Sequence, residues 1–178
     1  MRYPNTSERM VHLLNVATLK RLGAIDHATR EALESMAMLC ARTFDVPTVL
    51  ISLIDVERQW IVAKVGFEGD GGPLEDAVCQ YTVRRSAPLI LLDPLNDPDA
   101  GSNPYVCAAD GLRFYAGAPL VERDGLVIGT LCLGSGVPRA SFDAPEVAML
   151  ERLAGVVVKL IEGRTARVDH AISAARPA

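Results

Sequence analysis

Three stretches of the chain repeat apolar residues at i, i+3, i+4 and i+7, and the segments between them alternate or cluster. Met10, Leu13, Leu14 and Ala17 form the first stripe, between Asn5-Thr6-Ser7 and Gly23, which predicts a helix over 7–22. Asp26 stands where a second helix needs its cap, and Leu33, Met36, Ala37, Cys40 and Phe44 are its inward face. Pro47 stops helical geometry, and Val49–Ile54 is apolar throughout, as in a strand buried on both faces. Glu57-Arg58 turns the chain into Gln59–Val65, a strand with alternating sides. A Gly-rich loop over 66–75, a short helix over 76–85 and a strand at Leu89–Leu92 follow. Asp143 and Glu146 frame a capping box for a last helix over 144–165, whose stripe is Val147, Leu150, Leu153 or Ala154, Val157 and Leu160 or Ile161.

Residues 111–133 hold two β-rich runs around Glu122-Arg123-Asp124-Gly125, whose Asp-Gly step supplies the positive φ of a tight hairpin. In the first run Leu112, Phe114, Ala116, Ala118 and Leu120 share one face, and Arg113, Tyr115 and Gly117 the other. The irregular segment 93–110, with Pro94, Pro98 and Pro104, is long for a compact domain, which points to a role of its own. Helix, meandering strands, helix predicts an α+β fold: a central antiparallel sheet of five to six strands with helices packed on it. The expected organisation is a linker or dimerisation helix over 1–23, one domain over 24–165 and a frayed tail over 166–178. The first and last helices carry more apolar surface than the domain needs. A homodimer bundle through 7–22 and 144–165 is therefore expected, with folding back onto their own sheet as the alternative.

Composition narrows the function. Hydrophobic residues make up 49% and mean hydropathy is +0.20, enough for a real core. With 18 basic and 22 acidic residues the net charge is −4, which gives no electrostatic reason to bind nucleic acid or an anionic membrane. No apolar run approaches the ~18 residues of a membrane helix, and Met1–Ser7 holds no signal-peptide core. A cytoplasmic location is expected, with Cys40, Cys79, Cys107 and Cys132 as reduced thiols outside any C-x-x-C.

The histidines are His12, His27 and His170, so the interior of the domain lacks the commonest general base and metal ligand. No phosphate-cradling or nucleophile-elbow motif is present. Asp97–Asn103 is out of register for a calcium loop, with Gly101 at the fifth position and Ala108 at the twelfth; it reads as a capped turn. No metal or other cofactor is expected, and no catalytic residue. Cys40 lies on a helix's core stripe and Cys132 alternates with Leu131 and Leu133 in a strand, and both read as structural; Cys79 and Cys107 flank the region where a pocket would open. Arg113 beside Tyr115 either faces that pocket, where a guanidinium would select a carboxylate or phosphate, or pins the long loop through Asp93 or Asp97. The candidate ligand-binding set is Arg113, Tyr115, Cys79, Tyr81, Tyr105 and Asp93.

The hairpin wording, Asp55-Val-Glu-Arg-Gln-Trp60 and Asp93-Pro-Leu-Asn-Asp-Pro98, in this order and spacing over 27–162, resembles the GAF domain, a small-molecule sensor module of signalling proteins. The resemblance implies helices on one sheet face and a ligand pocket on the other. Residues 76–85 and 93–110 would be its walls, with floor positions near 51–53, 62–64 and 113–117. The N-K-x-F-D-E pattern of cyclic-nucleotide GAF domains is absent, and Gln80, not His, follows Cys79, unlike bilin binders. What remains is similar to the generic bacterial modules found ahead of histidine kinases and diguanylate cyclases. The expected function is a non-catalytic sensor of a small, anionic ligand that signals through its terminal helices to a partner or fused output module. Two alternatives stand beside it. One is a free methionine-(R)-sulfoxide reductase using Cys79 and Cys107, which lacks the expected acidic residues; the other is a ligand-free dimerisation module.

Overall fold

The computed structural model describes residues 18, 21–23 and 25–174, without the side chains of 164–174. The apolar stripe expected on helix 7–22 therefore lies outside the described residues, as does the end of the tail.

Helix α1 spans His27–Phe44, and the Asp26 carboxylate caps it by accepting from the Thr29 backbone N–H at 2.8 Å and its hydroxyl at 2.7 Å. Strands β1 (Thr48–Ile54) and β2 (Arg58–Val65) form a hairpin whose turn is organised by one carboxylate. Asp55 accepts from the N–H groups of Glu57 (2.9 Å) and Arg58 (2.7 Å) and from the Trp60 indole (3.0 Å). The Asp55–Trp60 motif is thus a turn-and-anchor device.

Strand β3, Gly71–Pro73, pairs with β2 where the sequence predicts only a loop. Gly71 sits at φ +121, and a Cβ there would lie 2.0 Å from the Gln59 carbonyl oxygen. Glycine is required at this position, and strand propensity penalises glycine, so the pattern hides the strand.

A 3₁₀ turn (Leu74–Asp76), α2 (Cys79–Arg85) and β4 (Leu89–Leu91) follow. Within the long irregular segment lie a 3₁₀ turn at Pro94–Asn96 and the single-turn α3 at Pro104–Cys107. The hairpin strands are β5 (Phe114–Val121) and β6 (Val127–Ser135), turned at Gly125 with φ +86. Helix α4 spans Ala144–Ala174, past the expected end at 165. Its capping box is reciprocal: Glu146 N–H donates to Asp143 at 2.9 Å and Asp143 N–H to Glu146 at 2.8 Å.

The six strands form one antiparallel sheet in the order β3-β2-β1-β6-β5-β4. Helices α1 and α4 cover one face. There Leu33, Ile51, Leu53, Phe114, Leu131, Leu133, Leu150 and Val157 are fully buried in the main core. The opposite face carries a smaller cluster in which Val78, Cys79, Leu89, Val106, Tyr115 and Cys132 meet. The expected alternation holds from Phe114 to Leu120, but Leu112 precedes the strand and packs into the smaller cluster instead. No helix among the described residues is long and apolar enough to cross a membrane.

Candidate functional site

A cavity of about 240 Å³ opens on the face of the sheet away from α1 and α4. Its floor comes from Thr48 and Leu50 of β1, Gln59 and Ile61 of β2, Tyr115 of β5 and Cys132–Ser135 of β6. Its walls are Gly71–Pro73, Ala77–Cys79 and Asp110–Leu112. Phe67 and Tyr105 reach it from the β2–β3 loop and from α3, with ring centroids 6.4 Å apart. The floor expected near 51–53 and 62–64 is thereby corrected. Ile51 and Leu53 face the helices, as alternation requires once Thr48 and Leu50 face the pocket, and Val62 and Ala63 also join the helix-side core. The β1–β2 register shifts between Ile51 and Ser52, which a fixed period of two cannot anticipate.

The structure separates the six candidate residues. Tyr115, Cys79 and Tyr105 line the cavity. Tyr115 is buried, and its hydroxyl shares a hydrogen bond with that of Thr82 at 2.7 Å. Tyr105 is half exposed, at 50%. Tyr81 instead lines a separate, more open and more polar pocket with Glu75, Arg84, Arg85 and Asp99. Asp93 caps the following 3₁₀ turn, accepting from Leu95 N–H at 3.3 Å and from the Asn96 amide at 2.8 Å. The Asp93–Pro98 motif is therefore also a turn device.

Arg113 does not line the cavity. Its guanidinium donates to the carbonyls of Val106 (2.7 Å), Leu112 (3.0 Å) and Ala108 (3.2 Å). It pins the long loop, as one of its two expected roles required, but through backbone carbonyls and not through Asp93 or Asp97. Asp97 and Asn103 cap turns: Asp97 accepts from the N–H groups of Asp99 (3.0 Å) and Ala100 (2.8 Å), and Asn103 from Tyr105 N–H (3.0 Å).

Three residues that sequence reasoning did not select belong to the site. Asp110 is the one acidic or basic residue among those lining the cavity. Gln59 is buried, and its amide donates to the Ser52 hydroxyl (2.8 Å) and to the Cys79 sulfur (3.3 Å). Cys132, expected to be structural, faces the pocket with its sulfur 3.5 Å from that of Cys79. The hydrogen bond with Cys132, helped by donation from Gln59, outweighs burial and brings the Cys79 thiol down to about 7. Cys132 is raised, because it serves as donor to Cys79 and because it is buried. Burial beside this sulfur pair also raises Tyr115 well above its ordinary value. Cys107, the other expected pocket cysteine, is exposed, and its thiol donates to the Gly101 carbonyl at 3.0 Å. Cys40 is buried beneath the helices and pushed up to about 11 by that burial.

A family model for the GAF domain matches residues 28–161. A cyclic di-GMP phosphodiesterase of Pseudomonas aeruginosa is 34% identical over 145 residues, covering 82% of this chain and 25% of that protein. The chain thus spans about a quarter of the length of this curated relative. Among solved structures, the GAF domain of an Acinetobacter phosphoenolpyruvate-protein phosphotransferase superposes with a TM-score of 0.66 at 16% identity, over 94% of this chain and 99% of that one. A free methionine-R-sulfoxide reductase of Neisseria meningitidis, solved with its substrate, superposes at 0.65 with 19% identity, over 94% and 98%. At these identities the two structures establish the fold.

Proposed function

The chain belongs to the GAF domain family, and on that footing we propose that it is a non-catalytic sensor whose cavity binds one small, neutral or cationic molecule. The observation that carries this reading is the lining. Leu50, Ile61, Phe67, Val78 and Leu112 give the cavity an apolar surface, Gln59 and Thr48 offer hydrogen bonds, and Asp110 supplies the one formal charge. The anionic preference attached to Arg113 is dropped, because that guanidinium is committed to three carbonyls.

A path from cavity to terminal helices runs through the β5–β6 hairpin. Its strands floor the cavity, and its turn meets the segment before α1 and the last helix: Arg21 makes a bidentate ion pair with Glu122, and Arg123 meets Glu162 of α4 at 3.7 Å. Ligand that draws Tyr105 and Phe67 over the cavity would shift this hairpin against α4. The terminal helices then pass the change to a second copy or to an output module. The phosphodiesterase relative suggests cyclic di-GMP turnover as the class of that output.

The reductase is the second reading, favoured by the thiol pair and by Asp110, a carboxylate able to hold an ammonium at the cavity wall. One experiment separates the two. The chain is screened by thermal shift against neutral, cationic and anionic metabolites, and then assayed with free methionine sulfoxide and a thiol reductant. Stabilisation by neutral or cationic compounds, lost in a Leu50→Trp variant that fills the cavity, is expected without turnover. Turnover to methionine, or stabilisation by anions alone, would overturn the reading.

A further inference from the structure

The cavity floor carries chemistry that ligand binding leaves idle. Cys79 opens α2 and Cys132 lies in β6, separated by 53 positions in sequence, yet their sulfurs are in contact at 3.5 Å and both are free. They sit on the cavity wall and floor, where a water-sized reagent reaches them although each residue is at least 95% buried. Beside them the buried Gln59 amide donates to Cys79 at 3.3 Å, and the Thr130 hydroxyl, fully buried and without a hydrogen-bond partner among the described residues, lies two positions before Cys132 on β6.

We infer that Cys79 and Cys132 form an oxidisable dithiol, which a small hydroperoxide entering the cavity converts into an intramolecular disulfide that ties α2 to β6. Cys79 is the attacking group, because the side-chain amide of Gln59 donates to its sulfur and so favours the thiolate there. The thiolate attacks the terminal oxygen of the peroxide. An S–O bond forms, the O–O bond breaks, and the departing alkoxide or hydroxide takes up a proton. The product is a sulfenic acid on Cys79. Cys132 then attacks that sulfur, its own proton leaving with the displaced hydroxide as water. Two thiols are oxidised, one peroxide is reduced to an alcohol or water, and one further water is released.

The sulfurs must close from 3.5 Å to a bond length of about 2.05 Å. Helix α2 has only seven residues and is bounded by a 3₁₀ turn on one side and an αL residue, Ser86, on the other, so a small rigid shift of one wall suffices. The other two thiols do not compete: Cys107 lies outside the cavity lining and Cys40 belongs to the core beneath the helices. Oxidation would draw the Ala77–Cys79 wall onto the floor and so change the cavity that a ligand sees. This inference uses the sulfur geometry alone and stands apart from the identity of any ligand.

The test uses the whole chain, reduced, desalted and exposed to stoichiometric hydrogen peroxide. Free thiols counted under denaturing conditions should fall from four to two, with the mass lower by two hydrogens and a peptide map joining Cys79 to Cys132. Dithiothreitol should reverse the change. In Cys132→Ser a dimedone adduct should appear on Cys79, in Cys79→Ser neither adduct nor bridge should form, and Cys107→Ser should behave as the parent. Retention of all four thiols, a bridge through Cys107, or a dimedone adduct on Cys132 would overturn the inference. The map of the parent chain decides it even where a variant fails to fold, and none of these readouts depends on ligand binding.

Discussion

Arg113 offers the sharpest test of how the site is built. Its guanidinium reaches backward over the loop and donates to the carbonyls of Val106 and Leu112 in partly buried bonds of 2.7 and 3.0 Å, with a more exposed third bond to Ala108 at 3.2 Å. It also lies beside Gly111, whose missing side chain makes room for it: a Cβ there would sit 2.9 Å from Nη1. Hydrogen bonds to a charged group contribute about 1.5–3 kcal/mol, and the exposed third bond adds little. Arg113→Ala should therefore lower the unfolding free energy by about 1.5–3 kcal/mol. At roughly 2–4 °C per kcal/mol for a domain of this size, that is a fall in Tm of about 3–12 °C. Arg113→Lys should recover only part of it, because one ammonium cannot reproduce the guanidinium fork. The assay is a thermal melt of both variants with and without any stabilising compound found in the screen. The drop should be nearly the same in both conditions, since the residue holds the wall and does not touch the cavity. A variant that melts like the parent while losing its response to an anion would refute this reasoning and restore Arg113 as a ligand contact.

Three further outcomes follow from the same geometry. Cys79 faces Cys132 and Tyr115 as titratable neighbours and Gln59 as a donor, so its thiolate should accumulate as pH rises through about 7. Its alkylation by a small haloacetamide, followed by mass spectrometry, should accelerate between pH 6 and 8 and then level off; acceleration that continues to a midpoint near an ordinary thiol, about 8.5, would contradict it. Gly71→Ala should destabilise the domain and loosen the β3 wall, because φ +121 and a Cβ 2.0 Å from the Gln59 carbonyl leave no relaxed position; exchange-protected β2–β3 amides in the variant would count against this. Met149 and Val156 of α4 stay 42% and 39% exposed. If helix 144–165 forms the expected homodimer bundle with helix 7–22, sedimentation should give a dimer at micromolar concentration and a monomer in Met149→Glu/Val156→Glu; a parent chain that is monomeric would exclude the bundle.

Most of the architecture is written in short-range signals. Asp26 and the Asp143/Glu146 pair do locally what their spacing suggests, because a capping carboxylate needs only N–H groups two or three residues away; Asp93, expected at the ligand, caps such a turn instead. The apolar stripes of α1 and α4 are legible for the same reason: a helix face is set by its own period, whatever it packs against. Strand β3 escaped notice because its glycines are selected by a close backbone approach and a positive φ, which are properties of its neighbour β2.

The site is harder to read because its contacts join residues that are distant in sequence. Tyr115 could be placed, since alternation from Phe114 fixes its side of the sheet. Alternation along β6 likewise puts Cys132 on the face opposite Leu131 and Leu133, which are both fully buried under the helices. What the pattern does not carry is that Gly117 pairs with Cys132 and that the start of α2 lands on this part of the sheet, 3.5 Å from the thiol. The same limit hid the partners of Arg113. Its position on the sheet face was legible, but its reach to the Val106 carbonyl depends on how residues 104–112 fold back: α3 makes a single turn, and Leu112 N–H bonds to the Tyr105 carbonyl at 2.8 Å. A long cationic side chain next to a loop rich in capped turns has many carbonyls within reach, so a nearby carboxylate is a weaker prior for its partner than it looks. Where a loop is held by backbone acceptors in this way, its arginine is a fastener, and the charge preference of the pocket has to be read from residues whose side chains line it, here Asp110.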